Sequence, residues 1–269
     1  MSSRSPQSVA WNPADYAANS GAQFAWAREL IARLCLRGDE RVLDVGCGDG
    51  KVTAELARAL PQGEIIGVDS SAAMLRFARE TFPKRKHVNL EWRRMDARAL
   101  RFTKPFDLVF SNAALHWVDD HPAFLRSVAA CLKPAGRLVI SCGGKGNAQD
   151  VFVALQAILR RERWREFFRK FTMPYVFHAP EAYERWLPRF GFRPQLVRLV
   201  NKETQVAGQA GFAGWFRTTW LPYTQRVPAE QREEFIAAVV DRFVAAHPPG
   251  PTGQLVIRMV RLEIDAVRI

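Results

Sequence analysis

The sequence predicts an α/β fold: a doubly wound, largely parallel sheet under a helical cap. Three observations carry this. Short apolar runs alternate with segments of helical period from residue 41 to about residue 141. A glycine cluster, Gly46, Gly48 and Gly50, follows the first run and precedes a helix. Beyond Gly143, Gly144 and Gly146 the rhythm changes to Arg- and aromatic-rich helical segments.

In chain order, residues 22–36 place Phe24, Leu30, Ile31 and Leu34 near helical spacing before Gly38, which predicts an amphipathic helix. Residues 41–46 form the first strand, and 51–60 a helix stopped by Pro61. Strand 64–69 and helix 71–82 repeat the unit, the helix ending at Pro83. Strands follow at 88–94, 106–111 and 137–141, with a helix over 121–132 between the last two. The next segments read as a helix over 148–171, a helix over 180–190 and a strand over 193–205. A Gly- and Trp-rich stretch (209–223), a helix over 228–246 and a terminal strand (255–269) complete the chain. Phe235, Ile236, Val239, Val240, Phe243 and Val244 mark one buried stripe on the helix over 228–246. Three regions result: an N-terminal helical segment (1–36) over the active site, a core (37–146), and cap insertions with the last two strands (147–269).

Composition bounds the function. The chain has 269 residues, 48% hydrophobic and 25% charged, which fits a folded globular protein. It contains no apolar run long enough to span a membrane, and residues 1–25 lack the apolar centre of a secretory leader, so a cytoplasmic setting is expected. Cys35, Cys47, Cys131 and Cys142 show no metal-ligand or disulfide spacing. The net charge of +12 favours anionic partners. The densest basic group, Arg160, Arg161, Arg163, Arg165, Arg169 and Lys170, reads first as a solvated face, with RNA binding and steering of a small acid as alternatives. No RNA-binding module accompanies it, which makes nucleic acid the less favoured partner. Oligomeric state stays open.

The richest chemistry lies in 42–50, VLDVGCGDG, where glycines let the backbone approach a ligand at the start of a helix. Asp69 ends the second strand about twenty residues further on, where an acid can accept from ribose hydroxyls. Asp96 follows the third strand and reads either as an acceptor for an exocyclic amine or as a helix N-cap. Cys47 reads as a space-filler inside the loop.

Taken together, 42–50, Asp69 with Ser70 and Met74, Asp96 with Ala97, and 106–117 resemble the class I S-adenosylmethionine-dependent methyltransferases over about residues 40–145. The resemblance implies a Rossmann-like sheet of seven strands with the last pair antiparallel. It also implies a cofactor, S-adenosyl-L-methionine, which leaves as S-adenosyl-L-homocysteine. Asp44 and the loop Gly46, Cys47, Gly48 and Gly50 would embrace its methionine part, Asp69 and Ser70 its ribose, and Asp96, Ala97 and Met74 its adenine; Asn112 joins this cofactor-binding set. Trp11, Asn12, Pro13, Tyr16, the segment 112–121 and the end of the chain from Trp215 through 220–223 to the last strand are similar to the trans-aconitate methyltransferase group. The spacing of Tyr16 to Gln23 resembles the juvenile hormone acid methyltransferases. There a Gln and a Trp hold a carboxylate, implying such a role for Gln23 and Trp117. The acceptor that the resemblance implies is a small acidic molecule, methylated on a carboxylate oxygen.

Gln23, His116 and Trp117 are therefore the candidate catalytic residues. Each has a structural alternative: an exposed helix residue, a core hydrogen-bonding histidine, and a packing aromatic. For His116 the non-catalytic reading is the favoured one. An ionised carboxylate needs no general base, whereas methylation of a hydroxyl, nitrogen or carbon on a natural-product-like acceptor would need one, and His116 is placed to serve. RNA methylation and a non-catalytic cofactor-binding scaffold are the remaining alternatives. Trp164, Phe167, Phe168, Trp215, Phe216, Trp220 and Tyr223 either wall an acceptor pocket or form the core of the cap, and Arg217 and Arg226 are candidate partners of an acidic substrate.

Overall fold

A computed structural model describes residues 10–269; residues 1–9, part of the segment read above for a leader, lie outside it. The elements are α1 (Pro13–Asn19), α2 (Gly21–Ala32), β1 (Arg41–Val45), α3 (Lys51–Arg58), β2 (Glu64–Asp69), α4 (Ala72–Thr81), β3 (Leu90–Arg94), β4 (Phe106–Asn112), α5 (His121–Cys131) and β5 (Leu132–Gly143). They continue with α6 (Gln149–Leu159), α7 (Glu162–Arg165), α8 (Pro180–Arg189), β6 (Phe192–Ala207), α9 (Gly208–Thr219), α10 (Leu221–Thr224), α11 (Arg232–Ala246) and β7 (Gln254–Arg268).

The seven strands form one mixed sheet in the order β3-β2-β1-β4-β5-β7-β6. Neighbours from β3 through β5 are parallel, and β7 runs antiparallel to β5, with Gly143 opposite Arg261. Strand order reverses between β1 and β4, so the chain leaves these two strands toward opposite sides and opens a crevice at their carboxyl ends. The glycine loop and the segment after Asn112 both start there.

Two compact units divide the chain. The first contains Ser20–Lys145, Tyr175–Val200 and Val260–Ile269. Its sheet is buried on both faces because successive strand residues point to opposite layers. Leu43, Ile66, Val109 and Ile140 meet Phe124, Val128 and Leu187 on one side. On the other, Val42, Ile65, Phe110 and Val139 meet Leu30, Leu34, Leu56 and Leu60. Asp120 caps α5 by accepting the Ala123 N–H at 2.8 Å, with Pro122 in the first turn.

The second unit contains the described part of residues 1–19, Gly146–Pro174 and Asn201–Met259. Its core is aromatic. Phe212 stacks on Phe243 at 4.4 Å, Phe216 on Trp220 at 5.5 Å and Phe168 on Phe235 at 5.6 Å. Trp164, Trp215 and Tyr223 are buried with them, so this set forms the interior of its own unit.

The expected helix over 148–171 is corrected: it is broken into α6, α7 and a 3₁₀ turn, Glu166–Phe168. Arg161 is extended, with ψ 141°, and α7 restarts after it so that Trp164 and Phe168 both reach Phe235. Arg217 and Arg226 are engaged within this unit. Arg217 pairs with Glu233 at 2.6 and 3.0 Å, and Arg226 donates to the Phe167 carbonyl at 3.1 Å. In the basic stretch Arg163 pairs with Glu234, and Arg165 and Arg169 approach Glu166 at 3.8 Å on the surface. No helix among the described residues is long and apolar enough to cross a membrane.

Candidate active site

Beyond β1 the chain turns back over β2: the N–H groups of Gly46 and Cys47 both donate to the Val68 carbonyl, at 2.8 and 3.0 Å. The turn needs φ of +78° at Gly46, where a Cβ would stand 2.1 Å from the Ala114 Cβ. Only glycine fits that approach. Gly48 also has positive φ, +52°, but open space where a Cβ would point, so this part of the loop presents bare backbone to the crevice. Gly50 enters α3 in the left-handed conformation with Trp92 against it. Cys47 is buried, and burial pushes its thiol well up, helped by the charges of Asp69 and Asp44. It fills space beside Gly67.

Two acids flank this loop. Asp44 is 2% exposed and accepts the Thr53 hydroxyl at 2.6 Å. Burial raises its carboxyl to about 7 against the opposing Thr53 bond. Asp69 accepts the Gly48 N–H at 3.0 Å on one oxygen and the Ser71 N–H at 2.8 Å on the other. Its carboxyl is also raised by burial, with those amide bonds pulling the other way. Ser70 is exposed, and its carbonyl accepts from Arg94 Nε at 3.0 Å. Ser71 caps α4 by accepting the Met74 N–H at 3.3 Å, and the Met74 side chain is buried.

Asp96 lies beside Asp69 along the carboxyl edge, since the Met95 N–H donates to the Asp69 carbonyl at 3.1 Å. It caps a 3₁₀ turn beginning at Ala97: its Oδ1 accepts the Arg98 N–H at 2.8 Å, and the Arg98 guanidinium grips both oxygens. The N-cap alternative thus describes its bonding here. Arg98 holds the Asp96 carboxyl below its ordinary value.

The end of β4 gathers the remaining residues. Asn112 is buried, donates from Nδ2 to the Gln23 carbonyl at 3.2 Å, and accepts from Arg261 Nη2 at 3.2 Å. Ala113 next to it has a φ of +56°, held by its N–H bond to the Ser141 carbonyl at 2.8 Å. Backbone strain of this kind persists where surrounding structure imposes it. The following turn carries His116 and Trp117. His116 Nδ1 accepts the Gly143 N–H at 3.3 Å. Burial, reinforced by the positive charge of Arg261, lowers its imidazole to about 3. Trp117 meets Tyr175 edge-on at 4.8 Å, and Tyr175 stacks on Phe177 at 5.8 Å. Gln23 Oε1 is buried with no hydrogen-bond partner.

The fold therefore brings Gln23, Asn112, His116 and Trp117 to one end of the sheet, next to the loop bearing Gly48 and to Asp69 at the end of β2. Arg261 and Ser141 were missed by sequence reasoning. Arg261 is 3% exposed and donates from Nε to Ser141 Oγ at 3.2 Å. The terminal strand intersperses Arg258, Arg261, Glu263, Asp265 and Arg268 among apolar residues, and such charges ordinarily mark solvent-facing positions, so no sequence signal set Arg261 apart.

These donors and acids fit a ribosylated, zwitterionic cofactor: a bare loop at a helix start, an acid beside it, and a second acid beneath. Comparison with known proteins agrees. Residues 42–136 match the methyltransferase domain family. The trans-aconitate 2-methyltransferase of Azoarcus sp. strain BH72 is 31% identical over 263 residues, covering 96% of this chain and 99% of that protein. The trans-aconitate 2-methyltransferase of Rhodopseudomonas palustris strain BisB5 is 28% identical, covering 96% and 99%. The YcgJ protein of Bacillus subtilis shares the fold, with a TM-score of 0.64 at 20% identity over 91% of this chain and 98% of its own. With the glycine loop, the strand-two acid and a full-length relationship in agreement, the chain belongs to the family of S-adenosylmethionine-dependent methyltransferases that includes the trans-aconitate 2-methyltransferases.

Proposed function

We propose that this methyltransferase esterifies a carboxylate of a small organic acid. The observation that carries the reading is the pairing of a neutral, base-poor site with a buried amide. His116 is lowered to about 3, and Gln23 ends in a buried amide oxygen without a partner. A carboxylate is ionised at neutral pH and needs no proton removed, so such a site suits it. The names of the full-length relatives point the same way.

When bound, S-adenosylmethionine supplies an electrophilic methyl group on a sulfonium sulfur. The chain's contribution is alignment and exclusion of water. On this reading Asp44, Gly46, Cys47, Gly48 and Gly50 receive the methionine part, Asp69 and Ser70 the ribose, and Asp96, Ala97 and Met74 surround the adenine. Asn112 links that side to the acceptor side through its bond to the Gln23 carbonyl. Trp117 donates through its indole N–H. Gln23, whose amide end presents Nε2 on rotation, donates a second hydrogen bond to the acceptor carboxylate. The four cysteines are free thiols, which suits a cytoplasmic setting.

The test is incubation with S-adenosylmethionine and a panel of mono-, di- and tricarboxylic acids, phenols, amines and RNA, read by mass spectrometry. Methyl esters of acids are expected. Methyl transfer to phenols, amines or RNA alone would overturn the carboxylate reading while leaving the enzyme class intact.

A further inference from the structure

We infer that His121 is a positioning residue for methyl transfer: its imidazole, oriented by the Tyr183 hydroxyl, holds the Leu115 carbonyl and thereby sets the turn that presents Trp117. The inference deepens the reading above, on which Trp117 donates to the acceptor, and adds to it the residues that fix that donor in place.

The hydrogen bonds come first. The turn after β4 begins at Leu115, whose carbonyl accepts the Val118 N–H at 2.9 Å and lies 3.0 Å from His121 Nε2. A carbonyl only accepts, so Nε2 carries the proton. In the neutral ring Nδ1 is then an acceptor, and the Tyr183 hydroxyl on α8 donates to it at 2.6 Å. Burial pushes that hydroxyl well up, so it remains a donor. His121 is 1% exposed and Tyr183 is fully buried, so water does not compete for either bond.

Placement keeps the ring neutral. His121 is the first residue of α5, at the positive end of the helix dipole, and the His178 ring stands edge-on to it at 4.4 Å. Burial, reinforced by His178, lowers its imidazole to about 4 against the pull of the Leu115 and Val118 backbone and of Asp120. The acceptor at Nδ1 and the donor at Nε2 are therefore both in place at neutral pH.

The same ring meets a second piece of the acceptor side. Residues 175–178 run beside the turn: the Val176 N–H donates to the His116 carbonyl at 2.9 Å, and the Lys145 N–H to the His178 carbonyl at 2.9 Å. Tyr175 in this segment packs on Trp117, and His178 packs on His121 and, at 4.8 Å, on Trp186. His121 thus contacts both segments beside Trp117, one by a hydrogen bond and one by ring packing. Apolar side chains could fill the same volume, but only a satisfied polar pair imposes one orientation on the turn. An indole N–H aids alignment of an acceptor only where its direction is held, since a displacement of about 1 Å already costs rate.

The test uses the full chain with S-adenosylmethionine, trans-aconitate as the acceptor probe, and the variants His121→Asn, His121→Gln and Tyr183→Phe. An Asn amide reaches as far as Nδ1 and keeps only the Tyr183 bond; a Gln amide reaches as far as Nε2 and keeps the Leu115 bond. His121→Asn is expected to lower kcat/KM about tenfold, the scale of one lost hydrogen bond, with S-adenosylhomocysteine affinity within about threefold. His121→Gln should recover most of that loss, and Tyr183→Phe, which frees the ring to turn, should fall between. Equal kcat/KM in the Asn and Gln variants, measured well below their melting temperatures, overturns the inference. The indole N–H resonance of Trp117, assigned with Trp117→Phe, supplies a readout that needs no acceptor. It should move in His121→Asn and return toward the wild-type position in His121→Gln; a resonance that moves in neither overturns the inference. If His121→Asn does not fold, Tyr183→Phe against wild type decides by the same two readouts, and no change in either overturns it. Should wild type esterify no acid while the resonance moves as expected, the carboxylate reading falls and the positioning of Trp117 by His121 stands.

Discussion

The Gly48 amide donates to the Asp69 carboxylate at 3.0 Å, tying the loop after β1 to the end of β2. One acid thereby holds the loop and, on the proposed reading, the ribose of the cofactor. Asp69→Ala removes both roles. Because hydrogen bonds to a charged group contribute about 1.5–3 kcal/mol, S-adenosylhomocysteine affinity is expected to fall about 10- to 100-fold. Isothermal titration measures it. An unchanged affinity in the folded variant would remove the ribose role from Asp69.

Gly46 and Gly48 are expected to respond differently to alanine. At Gly46 the new methyl group meets the Ala114 Cβ at 2.1 Å, so Gly46→Ala should destabilise the fold by about 1–3 kcal/mol from overpacking alone. At Gly48 no atom stands in the way, and the left-handed conformation costs about 1–2 kcal/mol. Gly48→Ala should therefore keep the fold better than Gly46→Ala, yet lose cofactor affinity, because its methyl group enters the open side of the loop. Thermal melts and titration on the two variants, side by side, separate these effects; matching losses in both would contradict the division.

Most of the fold and the glycine turn after β1 were legible because they rest on local patterns. Strand-helix alternation, Pro61 and Pro83 as stops, and the glycines at 46, 48 and 50 are short-range signals whose physics acts within a few residues. The break at Arg161 was not legible. Arginine is a good helix former and no Gly or Pro marks the site, so the break follows from the packing of Trp164 and Phe168 on Phe235, some 70 residues away. Arg261 was hidden for the same reason. Its partners, Asn112 and Ser141, come from two other strands, and only the register of β5 with β7 brings them to it.

Asp44 makes stability depend on pH. Burial raises its carboxyl from 3.8 to about 7. Between those values the native chain holds a proton that the unfolded chain has released, so this contribution is complete below the unfolded value and is lost as pH rises through about 7. Asp44→Asn does not titrate and can still accept from Thr53. Urea melts should show the Asn variant gaining on wild type as pH is raised from about 4 to 8. Parallel curves would mean that Asp44 is ionised in the native protein throughout.

His116 is expected to act by position and not as a base. With its imidazole lowered to about 3 by burial and by Arg261, it stays neutral at working pH and is a feeble proton acceptor. Its contribution to stability is complete above the ordinary value of 6.5 and is lost as pH falls toward about 3, the reverse of Asp44. For a carboxylate acceptor, His116→Gln should keep kcat within about tenfold, whereas loss of a general base typically costs 10²–10⁴-fold. A 10³-fold loss with cofactor affinity retained would instead favour an acceptor that must be deprotonated.

Glu263 on β7 joins the end of α2 to β6. It accepts from Arg33 at 3.0 and 3.1 Å and from Arg198 at 3.0 and 3.3 Å. Burial alone would raise its carboxyl, but the two arginines together outweigh that and hold it below its ordinary value. The stability it contributes is therefore present above the unfolded value of 4.5 and is lost as pH falls through the lowered native one. Glu263 is buried while both arginines are nearly half exposed, so the cost of Glu263→Ala should fall between that of a surface pair and that of a buried one, about 2 kcal/mol. Gln23 lies ten residues before Arg33, about 15 Å along the helix. Glu263→Ala is accordingly expected to lower the melting temperature while leaving acceptor KM within about threefold. A large rise in KM without a loss of stability would show that this ion pair positions the acceptor site instead of holding the fold.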